Sequence, residues 1–322
     1  MTKERQEALL KMLTAGDFEE KNYEELTTEE MIILRNSANN MIGKNPEDEK
    51  MKFFFTKREE FFRHLVMRRL QSMPEMFVAF SRATSLPYVY CDPETCNDQI
   101  WIFTIEALAK KVAADQAKEK NALMLVKFEN KDFLKFYLSL FNMGVNELVI
   151  DRSGNTMNLD LDKLVKQPDV SELPEEKRPI VNSALVLTCA YFAQELRKPL
   201  EKGEDGKVTR SEASQEALKE LEEEMLVNFR RGKFILPVIL PEGEEKITPQ
   251  NIQIPYMKMK NGDMYQPICT DLVEFKKMNQ DGKMKGLNVP YDRLPAMMGK
   301  EVKGLLLNPG SIRMAFPKAN IK

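Results

Sequence analysis

The chain has 322 residues, 30% of them charged, and a formal net charge of −2 at pH 7. This length predicts about two domains, and the balanced charge provides no single-sign field that would attract nucleic acid or an anionic membrane. The N-terminal residues lack the apolar stretch that a signal peptide needs, and no apolar run is long enough to span a bilayer. Four cysteines are too few for a disulfide scaffold. We therefore expect a cytoplasmic protein.

The first segment, residues 1–73, is predicted to be helical. Thr27 with Glu30, and Thr56 with Glu59, have the spacing of a capping box. In that motif a hydroxyl and a carboxylate each accept a hydrogen bond from a free backbone N–H at a helix start. We therefore expect two helices, one beginning at each box.

Residues 74–166 alternate between strand-like and helical patterns in the order βββαβαββ. Thr104 and Asn130 are placed to cap the two helices. The predicted strands are Met76–Phe80, Pro87–Tyr90, Ile100–Phe103, Ala122–Phe128, Val145–Ile150 and Met157–Leu161.

Residues 167–232 are predicted to connect two larger units. Two helical patterns, Ile180–Leu200 and Ser211–Phe229, flank a polar segment that contains glycine. Apolar side chains recur in the second helix at steps of three and four residues, beneath an acidic run. We expect a helical hairpin rather than a flexible tether.

Residues 233–322 repeat the order of the first unit with shorter helices. Thr270 and Asp271 are predicted to begin a helix, and Asn308, Pro309 and Gly310 to form a turn in which Gly310 takes a positive φ. The predicted strands are Phe234–Leu240, Ile252–Met259, Met264–Ile268, Val302–Leu307 and Ile312–Phe316.

Short motifs recur in the two units, which indicates an internal duplication. The sequence therefore predicts an α+β protein of two tandem repeats, an N-terminal helical region and a central helical hairpin. The matched segments are Pro87-Tyr88 with Pro255-Tyr256, Ile102-Phe103-Thr104 with Ile268-Cys269-Thr270, Val145–Ile150 with Val302–Leu307, Lys110-Lys111 with Lys276-Lys277, and Met157 with Met314.

We expect no cofactor, no metal and no catalytic residue. Residues 201–212 have the outline of a calcium loop, but Gly203 offers no side-chain oxygen where the ion needs one. Cys91 and Cys96 lack the second ligand pair that zinc needs, which leaves a surface turn, a reactive thiol or an occasional disulfide as alternatives. His64 lies on a predicted helix among arginines, and the motifs of nucleotide and hydrolase sites are absent from the sequence.

The twenty methionines fill gaps in a core or form an adaptable contact surface, and both interpretations stay open. Aromatic side chains beside proline are expected to be exposed on such a surface. The candidate contact residues are Tyr88, Tyr256, Met257, Met297, Asn308 and Pro309.

The second unit resembles the N-terminal domain of bacterial SseB-like proteins. The resemblance rests on the segment 267–271, on Glu274-Phe275 and on the closing strand that ends in Asn308-Pro309. In the first unit Asp151-Arg152 replaces Asn-Pro, so that copy is divergent. The resemblance implies a cytoplasmic bacterial protein with no assigned reaction, and it supplies no catalytic residue.

The leading hypothesis is a non-enzymatic binding or regulatory protein that contacts another protein. It rests on the duplication and on the missing catalytic motifs. The alternative is an enzyme or a small-ligand binder with a site in the cleft between the two repeats. A structural homo-oligomer is a third hypothesis.

Overall fold

The computed structural model describes residues 2–16, 23–44, 46–152, 155–202, 208–241, 243–244, 248 and 251–321. It has a mixed α+β architecture in which a helical N-terminal region precedes two sheet-containing units. The N-terminal helices are α1 (Lys3–Thr14), α2 (Thr28–Lys44) and α3 (Glu49–Ser72).

One of the two predicted capping boxes is confirmed. The Thr27 hydroxyl accepts from the backbone N–H of Glu30 at 3.2 Å, and the Glu30 carboxylate accepts from the backbone N–H of Thr27 at 3.0 Å. The predicted box at Thr56 is wrong, because α3 begins earlier in the chain. There the Asp48 carboxylate accepts from two backbone N–H groups of the first turn. An earlier aspartate cap leaves Thr56 inside the helix.

The first unit has a six-stranded sheet with the order β4-β1-β3-β5-β6, and β2 pairs with β3 beside β1. Strands β3 and β5 are parallel and the other pairs are antiparallel. The strands are β1 (Glu75–Ser81), β2 (Tyr90–Cys91), β3 (Asp98–Phe103), β4 (Leu123–Glu129), β5 (Glu147–Ile150) and β6 (Met157–Asp160), and the helices are α4 (Glu106–Lys118), α5 (Asn130–Asn142) and α6 (Leu161–Leu164).

The two faces of this sheet are buried differently. Helix α4 covers one face, where Trp101 and Phe103 lie in a cluster with Val112. The other face joins the main core with α3 and α5. Because side chains alternate along a strand, β3 is buried on both faces and reads as a continuous apolar run.

The two predicted caps of the first unit are wrong. Thr104 does not cap α4, because its hydroxyl and its backbone N–H both donate to the carboxylate of Asp151, at 2.6 and 2.7 Å. Asn130 is the first residue of α5, but its amide donates to the carbonyls of Gln71 and Met73 at the end of α3. Both polar side chains tie one element to another rather than closing their own helix.

Between the units, the predicted helical hairpin is confirmed, with a short strand pair between its helices. The elements are α7 (Ser183–Leu196), β7 (Glu201–Lys202), β8 (Val208–Thr209) and α8 (Glu212–Arg230). Ser211 caps α8 by accepting from the backbone N–H of Ser214 at 3.2 Å. Asn228 of α8 donates to the Thr188 hydroxyl of α7 at 3.0 Å, which ties the two helices together.

The second unit has a four-stranded sheet with the order β10-β11-β13-β14 and a separate pair, β12 with β9. A backbone bridge between Ile235 of β9 and Cys269, just after β11, joins the two parts. The elements are β9 (Lys233–Ile239), β10 (Met257–Lys258), β11 (Met264–Ile268), α9 (Leu272–Met278), β12 (Met284–Pro290), α10 (Leu294–Met297), β13 (Gly304–Leu307) and β14 (Met314–Pro317).

Helix α8 packs on the second unit through stacked aromatic rings. The Phe229 ring lies parallel to the Phe316 ring at 4.0 Å, and it contacts Phe234 and Tyr291 at 5.1 and 5.3 Å. All four side chains are buried. The helix therefore belongs structurally with the unit that follows it.

The turn after β13 differs from the prediction in one respect. Asn308, not Gly310, has the positive φ, of 47°. Asparagine tolerates the left-handed region because its short side chain bonds locally, and here the amide bonds Thr270. Gly310 is required for another reason, because a Cβ there would lie 2.8 Å from the Cβ of Lys277.

Candidate functional site

The predicted contact residues of the second unit lie in different surroundings. Tyr256 is 47% exposed, as expected, and a Cβ on Gly299 would lie 2.5 Å from its hydroxyl. Met257 is half-buried in β10, and Met297 is half-buried at the end of α10, where it packs on the main core. Of these three, Tyr256 presents the most accessible side chain.

Asn308 and Pro309 are buried. Asn308 accepts from the backbone N–H of Thr270 and donates to its hydroxyl, both at 2.9 Å. This pair closes the gap between the ends of β11 and β13. The turn therefore has a structural role, and a contact role for it stays a prediction.

Tyr88 is also buried, with 7% of its surface exposed, so the predicted exposure of this residue is wrong. Of the strand-like pattern Pro87–Tyr90, only Tyr90 belongs to a regular strand, which continues to Cys91. Pro87 forms an isolated bridge with Phe80, and the backbone of Val89 bonds the Gln194 side chain instead of a strand. The Tyr88 ring packs against Trp101 at 4.9 Å. Its remaining surface lines a cavity.

This cavity, the junction groove, lies between strands β2 and β3 of the first unit and helices α7 and α8. Its volume is about 640 Å³, within the range of about 300–1,000 Å³ that is typical of ligand sites. Its walls include Tyr88, Tyr90 and Tyr191. Its carboxylates are Asp98, Glu195, Glu220 and Glu224.

One wall of the groove is held by a hydrogen bond between distant segments. The Tyr191 hydroxyl of α7 donates to the Asp98 carboxylate of β3 at 2.7 Å. Burial and this hydrogen bond raise the pKa of Tyr191, so the phenol stays protonated at neutral pH. Burial raises the pKa of Tyr88 to about 12, so its hydroxyl is neutral as well.

The Tyr88 hydroxyl differs from the Tyr191 hydroxyl in having no hydrogen-bond partner among the residues that the structure describes. A phenolic hydroxyl can both donate and accept a hydrogen bond. Because the side chain lines the groove, a ligand there can supply the missing partner.

The groove carboxylates are not equivalent. Burial opposes ionisation of Glu195, but hydrogen bonds from Lys198 and Ser214 outweigh it and hold the pKa of this carboxyl below its usual range. Glu224 accepts only a 3.3 Å bond from the Thr188 hydroxyl. Glu220 has no ion pair or hydrogen bond within the described part of the chain.

The edge of β2 beside the groove is covered by a side chain. The Gln194 amide accepts from the backbone N–H of Val89 at 3.1 Å and donates to the Val89 carbonyl at 2.9 Å. These are the two bonds that a neighbouring strand would make. A ligand in the groove therefore meets side chains rather than a free strand edge.

A smaller cavity of about 200 Å³ continues the groove past Tyr88 and Gln194. Its cations are already engaged by protein groups: Arg82 donates to the Leu123 carbonyl at 3.1 Å, and Arg197 donates to backbone carbonyls. Carbonyl oxygens are neutral, so these hydrogen bonds leave the positive charge of both arginines at this end.

The metal and catalytic candidates of the sequence analysis form no centre within the described ranges. No group of three or more His, Cys, Asp or Glu side chains that could hold a metal ion occurs in the described ranges. Gly203 and Gly206 of the calcium-like segment lie outside the described residues. The His64 ring bonds the Glu60 carbonyl one turn back at 2.8 Å, as expected for a helix surface.

Cys91 and Cys96 are free and exposed, and Cys91 also lines the groove. Burial of its sulfur and the nearby Asp98 carboxylate raise the pKa of Cys91. A thiol with a raised pKa is a poor nucleophile at neutral pH.

Sequence reasoning found part of the groove and missed the rest. The apolar stripe noted on α8 is Ala217, Leu218, Leu221 and Met225. Of these, Ala217 and Leu221 line the groove, together with Glu220 and Glu224, which the stripe did not include. Asp98 and Tyr191 carry no local motif, because they are far apart in the chain and meet only through the fold.

Comparison with known proteins places the C-terminal part of the chain. Residues 211–322 match the family described as SseB protein N-terminal domain. The match includes α8 and therefore begins before residue 233, the boundary expected from the sequence. Searches of curated proteins and of solved structures gave no match to the chain.

The family match does not extend to the first unit. The similarity to SseB domains is therefore established for residues 211–322 only. No helix in the described part of the chain is long and apolar enough to cross a membrane.

Proposed function

We propose that the protein is a non-enzymatic, cytoplasmic binding protein that holds a segment of another protein in the junction groove. The observation that carries this proposal is the buried Tyr88 side chain, whose hydroxyl lacks a partner in the described structure and which lines a cavity of about 640 Å³. The family match supports a role in protein interaction without catalysis. The partner is neither a nucleic acid nor a membrane in this proposal.

We also propose that the first unit is a divergent copy of the matched domain. The strand pairings support this, because β1–β4, β2–β3, β3–β5 and β5–β6 have the same directions as β9–β12, β10–β11, β11–β13 and β13–β14. Ile102 faces Ile150 as Ile268 faces Leu307.

The same registers correct one of the matched motifs. Tyr90 faces Gln99, and Met257 faces Tyr265. This register sets the two Pro-Tyr pairs one residue apart, so they do not occupy equivalent positions. The correspondence of β3 with β11 does not depend on them.

The binding proposal can be tested with a bulky side chain that fills the groove. Ala217 is half-buried and lines the groove, whereas Ala213, one turn earlier on α8, is exposed and does not. Ala217→Trp should occlude the cavity, and Ala213→Trp adds the same bulk outside it. Both variants should unfold at the wild-type temperature within a few degrees.

The measurement is co-purification with tagged wild-type and variant proteins, quantified by mass spectrometry. A stoichiometric partner that is retained by Ala213→Trp and lost by Ala217→Trp supports the proposal. A partner that binds Ala217→Trp as well as wild type contradicts the groove as its site. If wild type captures no partner while a metabolite screen stabilises it, the small-ligand alternative replaces the proposal.

A further inference from the structure

The carboxylate end of the junction groove has more negative charge than the protein itself neutralises. Lys198 is the only basic side chain lining the 640 Å³ cavity, and its ammonium group pairs with Glu195 at 2.7 Å. Asp98, Glu224 and Glu220 have no cationic partner within the described residues. Three carboxylates therefore face the same space without a counter-charge.

The carboxylates lie beside tyrosine side chains. Tyr88, Tyr90 and Tyr191 line the same cavity, and the face of an aromatic ring attracts a cation because of its quadrupole. The Arg152 guanidinium already lies 5.1 Å from the centre of the Tyr90 ring. The Tyr88 side chain is buried, and its hydroxyl has no hydrogen-bond partner in the described structure, so its oxygen is free to accept from an ammonium or guanidinium N–H.

From these features we infer that the groove binds the basic side chains of an extended peptide segment, with lysine or arginine inserted among the tyrosines and carboxylates. The inference rests on the proposed binding function and names the chemistry of its partner. Gln194 already occupies the strand edge at Val89, so recognition proceeds through the side chains of the segment rather than through an added strand.

The smaller cavity at the other end of the groove does not reverse this choice. Its arginines donate to the carbonyls of Leu123, Ala83 and Ile312, so their N–H groups are partly engaged, and neither arginine lines the 640 Å³ cavity. Glu220, in contrast, is exposed and bears no ion pair or hydrogen bond within the described residues. The unpaired charge of the groove is negative, and the complementary ligand is cationic.

The test uses the full chain and four fluorescein-labelled peptides in which glycine alternates with one other residue: lysine, arginine, norleucine or glutamate. Binding is followed by anisotropy at low salt. We expect saturable binding of the lysine and arginine peptides, at least tenfold tighter than that of the norleucine peptide, and no saturation with the glutamate peptide. The lysine and arginine peptides decide which basic side chain is preferred.

The variants come from one acidic run on α8. Glu220→Gln with Glu224→Gln removes two groove carboxylates and should weaken the lysine peptide at least threefold, because each partly exposed ion pair contributes about two- to threefold. Glu222→Gln with Glu223→Gln changes the same net charge at exposed positions that do not line the groove, and should leave the affinity within about twofold.

Tyr88→Phe removes only the hydroxyl. It should weaken binding without lowering the unfolding temperature, because that hydroxyl has no hydrogen-bond partner among the described residues. Equal weakening by the two glutamine pairs would mean non-specific attraction and would overturn the inference, as would equal affinity for the lysine and norleucine peptides.

The two proposals fail separately. If a partner is lost by Ala217→Trp but basic peptides bind no better than neutral ones, the binding function stands and the cationic ligand is rejected. If basic peptides bind in the groove but no partner depends on it, the ligand chemistry stands and the protein-binding function is rejected.

Discussion

Asp151 directly follows β5 of the first unit, and Asn308 directly follows β13 of the second. Both residues have a left-handed backbone conformation, with φ of 51° and 47°. Both are buried, and each accepts a hydrogen bond from the backbone N–H of a threonine, Thr104 or Thr270. One side chain is ionisable and the other is not. Burial raises the pKa of Asp151, although the bonds from Thr104 oppose this effect.

A raised pKa makes Asp151 a source of pH-dependent stability. The folded state binds its proton more tightly than the unfolded state, so this stabilising contribution is present below the unfolded pKa and is lost as pH rises through the folded pKa. An asparagine at this position keeps the bond to the threonine N–H and removes the buried charge.

We therefore expect Asp151→Asn to be more stable than wild type at pH 7, and we expect this advantage to shrink at pH 4. Asn308→Asp is the reciprocal variant, which buries a charge in the second unit and should lose more stability at pH 7 than at pH 4. Urea unfolding at both pH values measures the differences. If Asp151→Asn changes the free energy of unfolding equally at both pH values, the carboxylate is ionised in the folded state without a penalty for burial.

Helix α8 packs on the second unit with one face and lines the groove with another. Phe229 stacks on Phe316, while Glu220 and Leu221 line the groove. The family match also begins at this helix. The position of the groove face therefore depends on how well the aromatic face is packed.

Phe229→Ala should lower the free energy of unfolding by about 3–5 kcal/mol, because it removes a buried ring and leaves a cavity. Val227→Ala, on the same helix, changes a side chain that is 42% exposed and should cost less than about 1 kcal/mol. Chemical unfolding monitored by circular dichroism tests both. A small effect of Phe229→Ala would mean that α8 is not anchored through this ring.

The elements also differ in how far their sequences predict them. β1 and β9 were found because apolar residues run through strands that are buried for most of their length. β12 (Met284–Pro290) has no such run, since it carries Gly286 and Asn288 and ends in proline. Gly286 is there because a Cβ would lie 2.8 Å from Ile235 of the paired strand, a close approach that no local pattern encodes.

The caps that were predicted correctly have local partners, although the local cap at Asp48 was missed. The box at Thr27 and the cap at Asp271 use neighbours two or three residues away. Thr104 bonds Asp151, which is distant in the chain. One wall of the groove likewise depends on a distant pair, the bond between Tyr191 and Asp98. Such contacts depend on the packing of whole units.

In the whole molecule, α7 joins the first unit to the second. Gln194 bonds Val89 of the first unit. One turn later, Arg197 donates to the carbonyls of Ala83 in the first unit and Ile312 in the second, the latter at 3.0 Å. This guanidinium group therefore bonds both units on the side where the groove lies.

Removing this bridge should uncouple the two units. A guanidinium that bonds two carbonyls contributes about 1.5–3 kcal/mol per charged hydrogen bond at most, and a lysine cannot span both acceptors because it lacks the planar fork. We expect Arg197→Ala and Arg197→Lys to broaden thermal unfolding or split it into two transitions. Arg210→Ala is the matched control, because Arg210 bonds only carbonyls of Glu195 and Leu196, inside the connector.

Calorimetry of the three variants distinguishes coupling from plain destabilisation. Uncoupling separates the transitions while the total enthalpy is nearly kept, whereas plain destabilisation shifts one transition downward. If Arg197→Lys behaves like wild type, the guanidinium is not the bridge, and the units are coupled mainly through the apolar core that they share. If the transitions separate, groove affinity should fall as well, because the groove walls come from both sides of the junction.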